Sequence, residues 1–270
     1  MNPLLACLVL LAAVCVVTWA LSARTGSAAW LDRLWSITPV VYAWVFAGAA
    51  GFGDARLNLL AGLATAWGVR LTFSYARKGG YGRGVQDYRW AIVRRDMSPT
   101  GWRLFHALFV SLYQQALLLL IVLPAWTAFE RGVPLGWIDW VLAALFLALL
   151  VGEGVADGQQ WRFQQRKRAD ATAGAPMGDG FVRTGLFRYS RHPHFLCELL
   201  MWWVFYAIAV ATTSPAIDWT IIGTVLLSAQ IIGSTWMMES LSRAKYPAYE
   251  AYQAVTSRLV LWPPRGGSGV

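Results

Sequence analysis

The stretch GWIDWVLAALFLALLVGEGVAD, residues 136–157, decides the fold. From Trp140 to Gly152 it carries no charge. As a helix it would reach about 33 Å, roughly the thickness of a bilayer's hydrocarbon core. It runs directly into GQQWRFQQRKR, residues 158–168, with Arg162, Arg166, Lys167 and Arg168. An apolar helix that ends in a basic run reads as a membrane span meeting a headgroup surface.

Working outward, similar apolar runs occupy residues 4–22, 36–52, 57–76, 104–128, 194–213 and 217–238. With 136–157 they predict an all-α integral membrane protein, a bundle of seven transmembrane helices. Strongly polar stretches fall at 77–103, 162–191 and 239–265. Composition agrees. The 270-residue chain is 57% hydrophobic and 14% charged, against about 25% charged in a soluble domain. That excludes an ordinary cytosolic enzyme, a disordered tail and a disulfide scaffold. The first run lacks a basic segment before it and reads as a retained helix rather than a cleaved signal. Residues 1–265 form one membrane domain in this reading, and 266–270 a flexible tail.

The net charge of +9 needs a place outside the hydrocarbon. With the N-terminus outside, the inner segments are 23–35, 77–103, 158–193 and 239–270. They hold 2, 7, 7 and 4 of the 23 lysines and arginines. The outer loops hold Arg56 and Arg131, and Arg70 lies within a span. This bias predicts an N-out, C-in topology with a basic cytoplasmic face. The acids and aromatics mixed into that face, such as Asp87, Tyr88, Asp157 and Tyr189, point further, to an anionic cytoplasmic ligand.

Polar residues inside spans are costly and mark candidate sites. Asn58 and Arg70 lie in the third span, Gln114 and Gln115 in the fourth. Glu153, Asp157, Gln160 and Gln164 form one stripe if the fifth helix continues past the bilayer. In the segment 185–198, Pro193 is suited to the first turn of a helix. Arg188, Arg191 and His192 precede it, which suits a phosphate group. His194 and Glu198 fall four apart on one helical face. Pro193 between the two histidines, and only His106 besides, argue against a metal site. Cys7, Cys15 and Cys197 lie in apolar runs and read as small buried hydrophobes. The glycine-rich 79–84 follows a membrane helix, so it is no dinucleotide fingerprint. Arg243, Lys245, Tyr246, Tyr249 and Tyr252 suit either an interfacial segment or a lid over a flat heteroaromatic ligand.

Several pieces in order resemble a bacterial membrane family related to the steroid 5-alpha-reductases. They are Trp67 to Thr72, Gln86 to Trp90, Gln114 to Pro124, Glu153 to Phe163, Gly185 to Glu198, and Glu239 with the Tyr249–Tyr252 spacing. The resemblance covers residues 57–264. It implies NADPH held in a cytoplasm-facing cavity and hydride transfer to an activated carbon–carbon double bond, such as an enone. By that likeness, Asp157 and the bases around it meet the nucleotide, and His194 and Glu198 lie near the nicotinamide carboxamide. Arg188, Tyr189, Arg191, Tyr249 and Tyr252 line the cytoplasmic side, and Arg70, Asp87, Arg89 and His192 complete the binding set. The steroid enzymes carry a Gln-Glu pair in the second span and a Tyr in the third. Here the second span has no acid and Trp67 stands near the Tyr position, so Tyr42, Tyr75 and Glu153 are the candidates for the catalytic acid.

The expected function is an NADPH-dependent reductase of a lipophilic, steroid- or sterol-like enone, in a bacterial inner membrane. Membrane lipids and the substrate are its partners; neither nucleic acid nor a protein partner is indicated. The surplus of cytoplasmic arginine favours NADPH over NADH. One rival is an S-adenosylmethionine-dependent methyltransferase of the isoprenylcysteine or phospholipid type, which shares the Arg-His-Pro core. Those enzymes have a Glu-Glu pair where this chain has Met238-Glu239. The other rival is a lipid-binding protein without enzymatic activity.

Overall fold

A computed structural model of the chain describes residues 2–82, 88–174, 178–211 and 217–265, leaving aside the side chains of residues 88, 89 and 91. Among the described residues every regular element is helical. In order these are α1 (Pro3–Thr25), α2 (Ala29–Trp35), α3 (Thr38–Ala49), α4 (Ala55–Arg77), α5 (Tyr88–Arg95) and α6 (Pro99–Phe105). A π-helix (His106–Tyr113) follows, then α7 (Gln114–Leu120), α8 (Pro124–Arg131), α9 (Trp137–Thr172), α10 (Pro193–Val210), α11 (Ile222–Lys245) and α12 (Tyr249–Val255).

Among the described residues five segments are long and apolar enough to cross a membrane: Pro3–Thr25, Pro99–Arg131, Trp137–Thr172, Pro193–Val210 and Trp219–Lys245. The first is bounded by its own sequence. Asn2 caps it through Leu4 N at 2.9 Å, Pro3 takes the first turn, and Gly26 ends it at φ +65°. The other two expected spans differ. Helix α3 has only 12 residues, about 18 Å, short of a bilayer core of about 30 Å. It stops because Gly51 and Phe52 both turn left-handed, at φ +59°. Asp54 then caps α4 through Leu57 N at 3.0 Å. Helix α4 is long enough, at 23 residues, but carries Arg56, Asn58, Arg70 and Arg77.

The fourth span is interrupted. Its π-helical stretch stacks Phe105, Phe109 and Tyr113 face to face, with centroids 5.0 and 5.1 Å apart. A break at 121–123 precedes Pro124, whose missing N–H and ring bar an unbroken helix. Helix α9 runs for 36 residues, about 54 Å, so it outruns any bilayer. The continuation past Asp157 that the polar stripe requires is therefore present.

The described chain divides into two compact units. Unit 1 comprises residues 1–144 and 204–226, unit 2 residues 145–203 and 227–270.

In unit 1, α3 and α4 form a close hairpin. A Cβ on Gly68 would lie 2.6 Å from the Ser36 carbonyl oxygen, and Ser36 bonds Thr72 at 2.6 Å. Gly223 is more constrained, since a Cβ there would fall 2.0 Å from the Leu120 carbonyl oxygen. Arg56, read above as an outer-loop cation, is instead 1% exposed. It pairs with Asp139, itself 0% exposed, at 2.8 Å. Its remaining donors reach the carbonyls of Val133 (3.3 Å), Pro134 (3.1 Å), Ala211 (3.2 Å) and Ile208. Asp139 also accepts from Gly136 N at 2.7 Å.

Nearby in the same unit, Asp218 accepts from Thr127 Oγ1 at 2.7 Å, Thr220 N at 2.9 Å and Arg131 at 3.3 Å. Burial alone would raise its pKa, but these hydrogen bonds and the Arg131 charge hold it below the usual aspartate range. The folded pKa is thus lower than the unfolded one. The stabilisation is complete above the ordinary aspartate pKa and is lost as pH falls toward the folded value. Unfolding of the wild type and Asp218→Asn across this acid range should converge as pH drops. Parallel curves would contradict it.

Candidate cofactor site

The start of α10 is where unit 2 concentrates its polar groups. Pro193 takes the first helical position, as its chemistry predicts. The backbone N–H groups just before it are met by the chain's own C-terminal segment. Arg191 N donates to Ser257 O at 2.8 Å and His192 N to Arg258 O at 3.1 Å. Ser190 Oγ donates to Leu259 O at 2.7 Å, and Trp262 N to Tyr189 O at 3.0 Å. Residues 257–262 therefore lie along 189–192 as a strap.

Beneath the strap, Glu239 on α11 is the centre of a buried node; it is 2% exposed. Arg191 grips it with both arms, Nε to Oε1 at 2.7 Å and Nη2 to Oε2 at 3.1 Å. His192 Nε2 lies 3.1 Å from Oε1, and Gln253 donates to Oε2 at 2.9 Å. Arg258 approaches at 3.4 Å while stacking on Trp236. Arg191 also donates to the carbonyls of Gln253 (3.0 Å) and Thr256. A bidentate guanidinium–carboxylate pair of this kind fixes both planes. It ties α10, α11 and the segment after α12 to one point.

Tyr249 and Tyr252 are both buried and pack on Phe181, with centroids 5.0 and 5.3 Å away. Tyr252 donates to Phe187 O. Burial and the Glu239 charge push the Tyr249 pKa up to about 12, and burial raises that of Tyr252 as well. Both phenols keep their protons at neutral pH. Tyr246 goes the other way. Burial would raise its pKa, but a 2.7 Å bond from Lys167 and the Lys245 charge hold it below the usual phenol value.

Residues 18–256 match the family described as "Protein of unknown function (DUF1295)". The chain belongs to that family. A relative from Schizosaccharomyces pombe, described as Uncharacterized protein C594.04c, is 36% identical over 272 residues, which is 95% of this chain and 79% of its own. No solved structure matches the chain significantly.

In this DUF1295 protein the expected site residues fall into two groups. Glu153, Asp157, Arg188, Tyr189, Arg191, His192, His194, Glu198, Tyr249 and Tyr252 belong to unit 2; Tyr42, Arg70 and Tyr75 belong to unit 1. Asp87 and the Arg89 side chain lie outside the described residues. Glu153 and Asp157 are buried on α9, while Arg188 and Tyr189 are exposed. Glu198 accepts from Trp202 at 2.9 Å, and His194 packs on Phe195 at 4.4 Å and Phe187 at 6.1 Å. Tyr75 sits against Tyr81 at 5.1 Å.

Sequence reasoning assigned no role to Glu239, Gln253, Arg258 or Lys167. Glu239 is visible as a piece of the resembling pattern, but not as the carboxylate that Arg191 and His192 face. Gln253 is not visible, since its role depends on how α12 folds back.

Gly180 closes this part of the DUF1295 unit. It has φ +76°, and a Cβ would lie 2.4 Å from the Tyr246 ring. Lys167 Nζ also bonds its carbonyl at 2.7 Å. Gly180→Ala should therefore cost about 1–3 kcal/mol through backbone strain and the ring contact. It should also release the Lys167–Tyr246 bond, raising the Tyr246 pKa toward that of free tyrosine. Thermal unfolding and ultraviolet titration of the phenols check both.

Proposed function

We propose that this DUF1295 protein is an NADPH-dependent reductase of a lipophilic enone, built as a seven-helix bundle with its N-terminus outside and its cofactor side toward the cytoplasm. The observation that carries the reading is the Glu239 node. Two of the pieces that carry the resemblance to the steroid 5-alpha-reductases, 185–198 and Glu239 with the Tyr249–Tyr252 segment, come together around it, Arg191 and His192 from the first and Glu239 and Gln253 from the second. Met238 supports reduction over methyl transfer, because a single carboxylate, already engaged by Arg191, stands where the methyltransferases carry two.

The residues present suit a dinucleotide. The Gln160 amide oxygen is buried without a hydrogen-bond partner, and it lies on the same helical face as Asp157. Together they offer acceptors to ribose hydroxyls or a carboxamide. Arg162, Arg166, Arg168 and Arg188 are exposed in the same unit and offer guanidinium groups to phosphates. In this reading His194 and Glu198 hold the carboxamide end. Arg191 and His192 act through Glu239, positioning the loop rather than touching the ligand. NADPH, when bound, supplies the hydride. The chain supplies orientation, a water-poor setting, and a proton, for which Glu153 is the candidate within the same unit.

The test is nucleotide titration in detergent with NADPH, NADH and S-adenosylmethionine. NADPH should bind most tightly. A preference for S-adenosylmethionine would replace reduction by methyl transfer, and no nucleotide binding would leave a lipid-binding protein. In the same assay Glu198→Ala should weaken NADPH by about tenfold, equivalent to about 1.4 kcal/mol. Glu198→Gln should weaken it less, since an amide still bonds a carboxamide. Both variants should stay folded. A lower melting temperature with unchanged affinity would remove Glu198 from the site.

A further inference from the structure

The strap over the start of α10 is held by its main chain, and its apolar side chains point away. Val260, Leu261 and Trp262 are all exposed, Trp262 to 63%. Three consecutive apolar residues facing outward are a liability in water and ordinary at a bilayer surface. The sequence suggested an interfacial role for 243–252, but Tyr249 and Tyr252 are buried. The outward apolar surface lies further along, at 260–262.

The depth of the strap follows from α11. One side of that helix presents Ile232 and Trp236, then Ser240 and Arg243, all exposed. They are spaced three or four apart and share a face. The face turns from apolar to polar between Trp236 and Ser240, the change expected where a spanning helix leaves hydrocarbon. Arg258 of the strap lies over the Trp236 ring at 4.8 Å, while its Nε turns to Glu239 at 3.4 Å. The strap therefore sits at the level where α11 leaves the bilayer.

The strap also shapes a cavity. Arg265 N donates to Val255 O at 2.9 Å and closes residues 255–265 into a loop. The cavity, of about 220 Å³, is lined by Val255, Ser257, Val260, Trp262, Pro263 and Arg265. Its polar lining includes a hydroxyl and a guanidinium, both donors to phosphate oxygens. From 257 to 265 the chain carries two arginines and no acid. A free anion would satisfy the arginine but leave 260–262 in water. A phospholipid covers both.

We propose that residues 255–265 bind an anionic glycerophospholipid. Its phosphate meets Arg265 and Ser257, and its acyl region meets Val260, Leu261 and Trp262. A zwitterionic lipid fits less well, because its ammonium group is brought toward two arginines. A bound lipid holds the strap in place. With it are held the amides of Arg191 and His192, which donate to the carbonyls of Ser257 and Arg258. The lipid thus steadies the Glu239 node without entering it.

The experiment uses the full-length protein in nanodiscs of phosphatidylcholine, alone or mixed with phosphatidylglycerol. No nucleotide is present, so the result is independent of the reductase reading. Amide exchange at 191 and 192 should be about tenfold slower in the mixed discs. Arg265→Gln should give back about fivefold of this, the worth of one arginine at an anionic surface. Arg265→Lys should keep most of the protection. Arg95→Gln, at an arginine exposed elsewhere, should keep all of it. Native mass spectrometry from detergent should find phosphatidylglycerol on the wild type and not on Arg265→Gln. Equal exchange in the two discs overturns the proposal. So does an equal loss in Arg95→Gln, which would mean general surface charge. Full protection by inorganic phosphate in phosphatidylcholine discs would mean a free-anion site and overturns the lipid. Trp262→Ser with protection intact overturns the apolar half of the site.

Discussion

Asp139→Ala should lower the unfolding free energy of this protein by about 3–5 kcal/mol, the usual cost of stranding one member of a buried ion pair. The partner left behind is the Arg56 guanidinium, 1% exposed. It would keep the carbonyls of Val133, Pro134, Ala211 and Ile208 as neighbours but lose the Asp139 carboxylate. Arg56→Met should cost a similar amount for a different reason. It leaves the Asp139 carboxylate with Gly136 N and strips four carbonyls of a donor. The double variant Arg56→Met with Asp139→Leu should recover part of the loss, because no charge is then buried. It should not recover all, since the carbonyls remain unbonded. Denaturant titration in mixed micelles measures each case. Losses below about 0.5 kcal/mol for both single variants would show that water reaches the pair.

The second large effect is expected at Glu239. Its replacement by Ala leaves Arg191 and His192, both buried beside it, without their carboxylate, again at about 3–5 kcal/mol. Arg258 adds little to this figure, being 37% exposed at its side chain and 3.4 Å away. Glu239→Gln keeps an acceptor for Arg191 but not the charge, and should fall between. The damage should be local before it is global. Arg191 fastens the carbonyls of Gln253 and Thr256, so amide exchange at 191 and 192 should rise in Glu239→Ala. NADPH affinity should drop by more than tenfold with it. Fast exchange with unchanged NADPH affinity would confine Glu239 to a structural role.

The sequence displays some of these features and hides others for physical reasons. The apolar runs that become α1, α9, α10 and α11 are legible because burial in lipid needs only length and composition. The brevity of α3 is not, since it depends on Phe52 adopting a left-handed backbone that few non-glycine residues accept. Arg56 reads as a loop cation because its compensating groups come from residues 133–139 and 208–211, far along the chain. Around α10 the helix start and its flanking arginines are evident from Pro193. What they face is not: the strap and Glu239 arrive from the last thirty or so residues, and although Glu239 stands in a recognisable pattern, nothing local pairs it with Arg191. Tyr249 and Tyr252 share a face by spacing, while their partner Phe181 comes from an irregular segment without periodicity.

The division into units has a consequence for how the protein is made. Residues 204–226 belong to unit 1, yet 145–203, which belong to unit 2, are synthesised before them. When translation has passed residue 144, Arg56 still lacks the carbonyls of Ile208 and Ala211, Thr127 lacks Asp218, and Gly223 has not met Leu120. Unit 1 must wait, inserted but unfinished, while the first part of unit 2 is threaded. The two units therefore mature as interleaved halves, not in succession. A fragment cut at 144 would present the membrane-insertion machinery with an open core, so co-expressed pieces should reconstitute the protein only if one of them supplies 204–226.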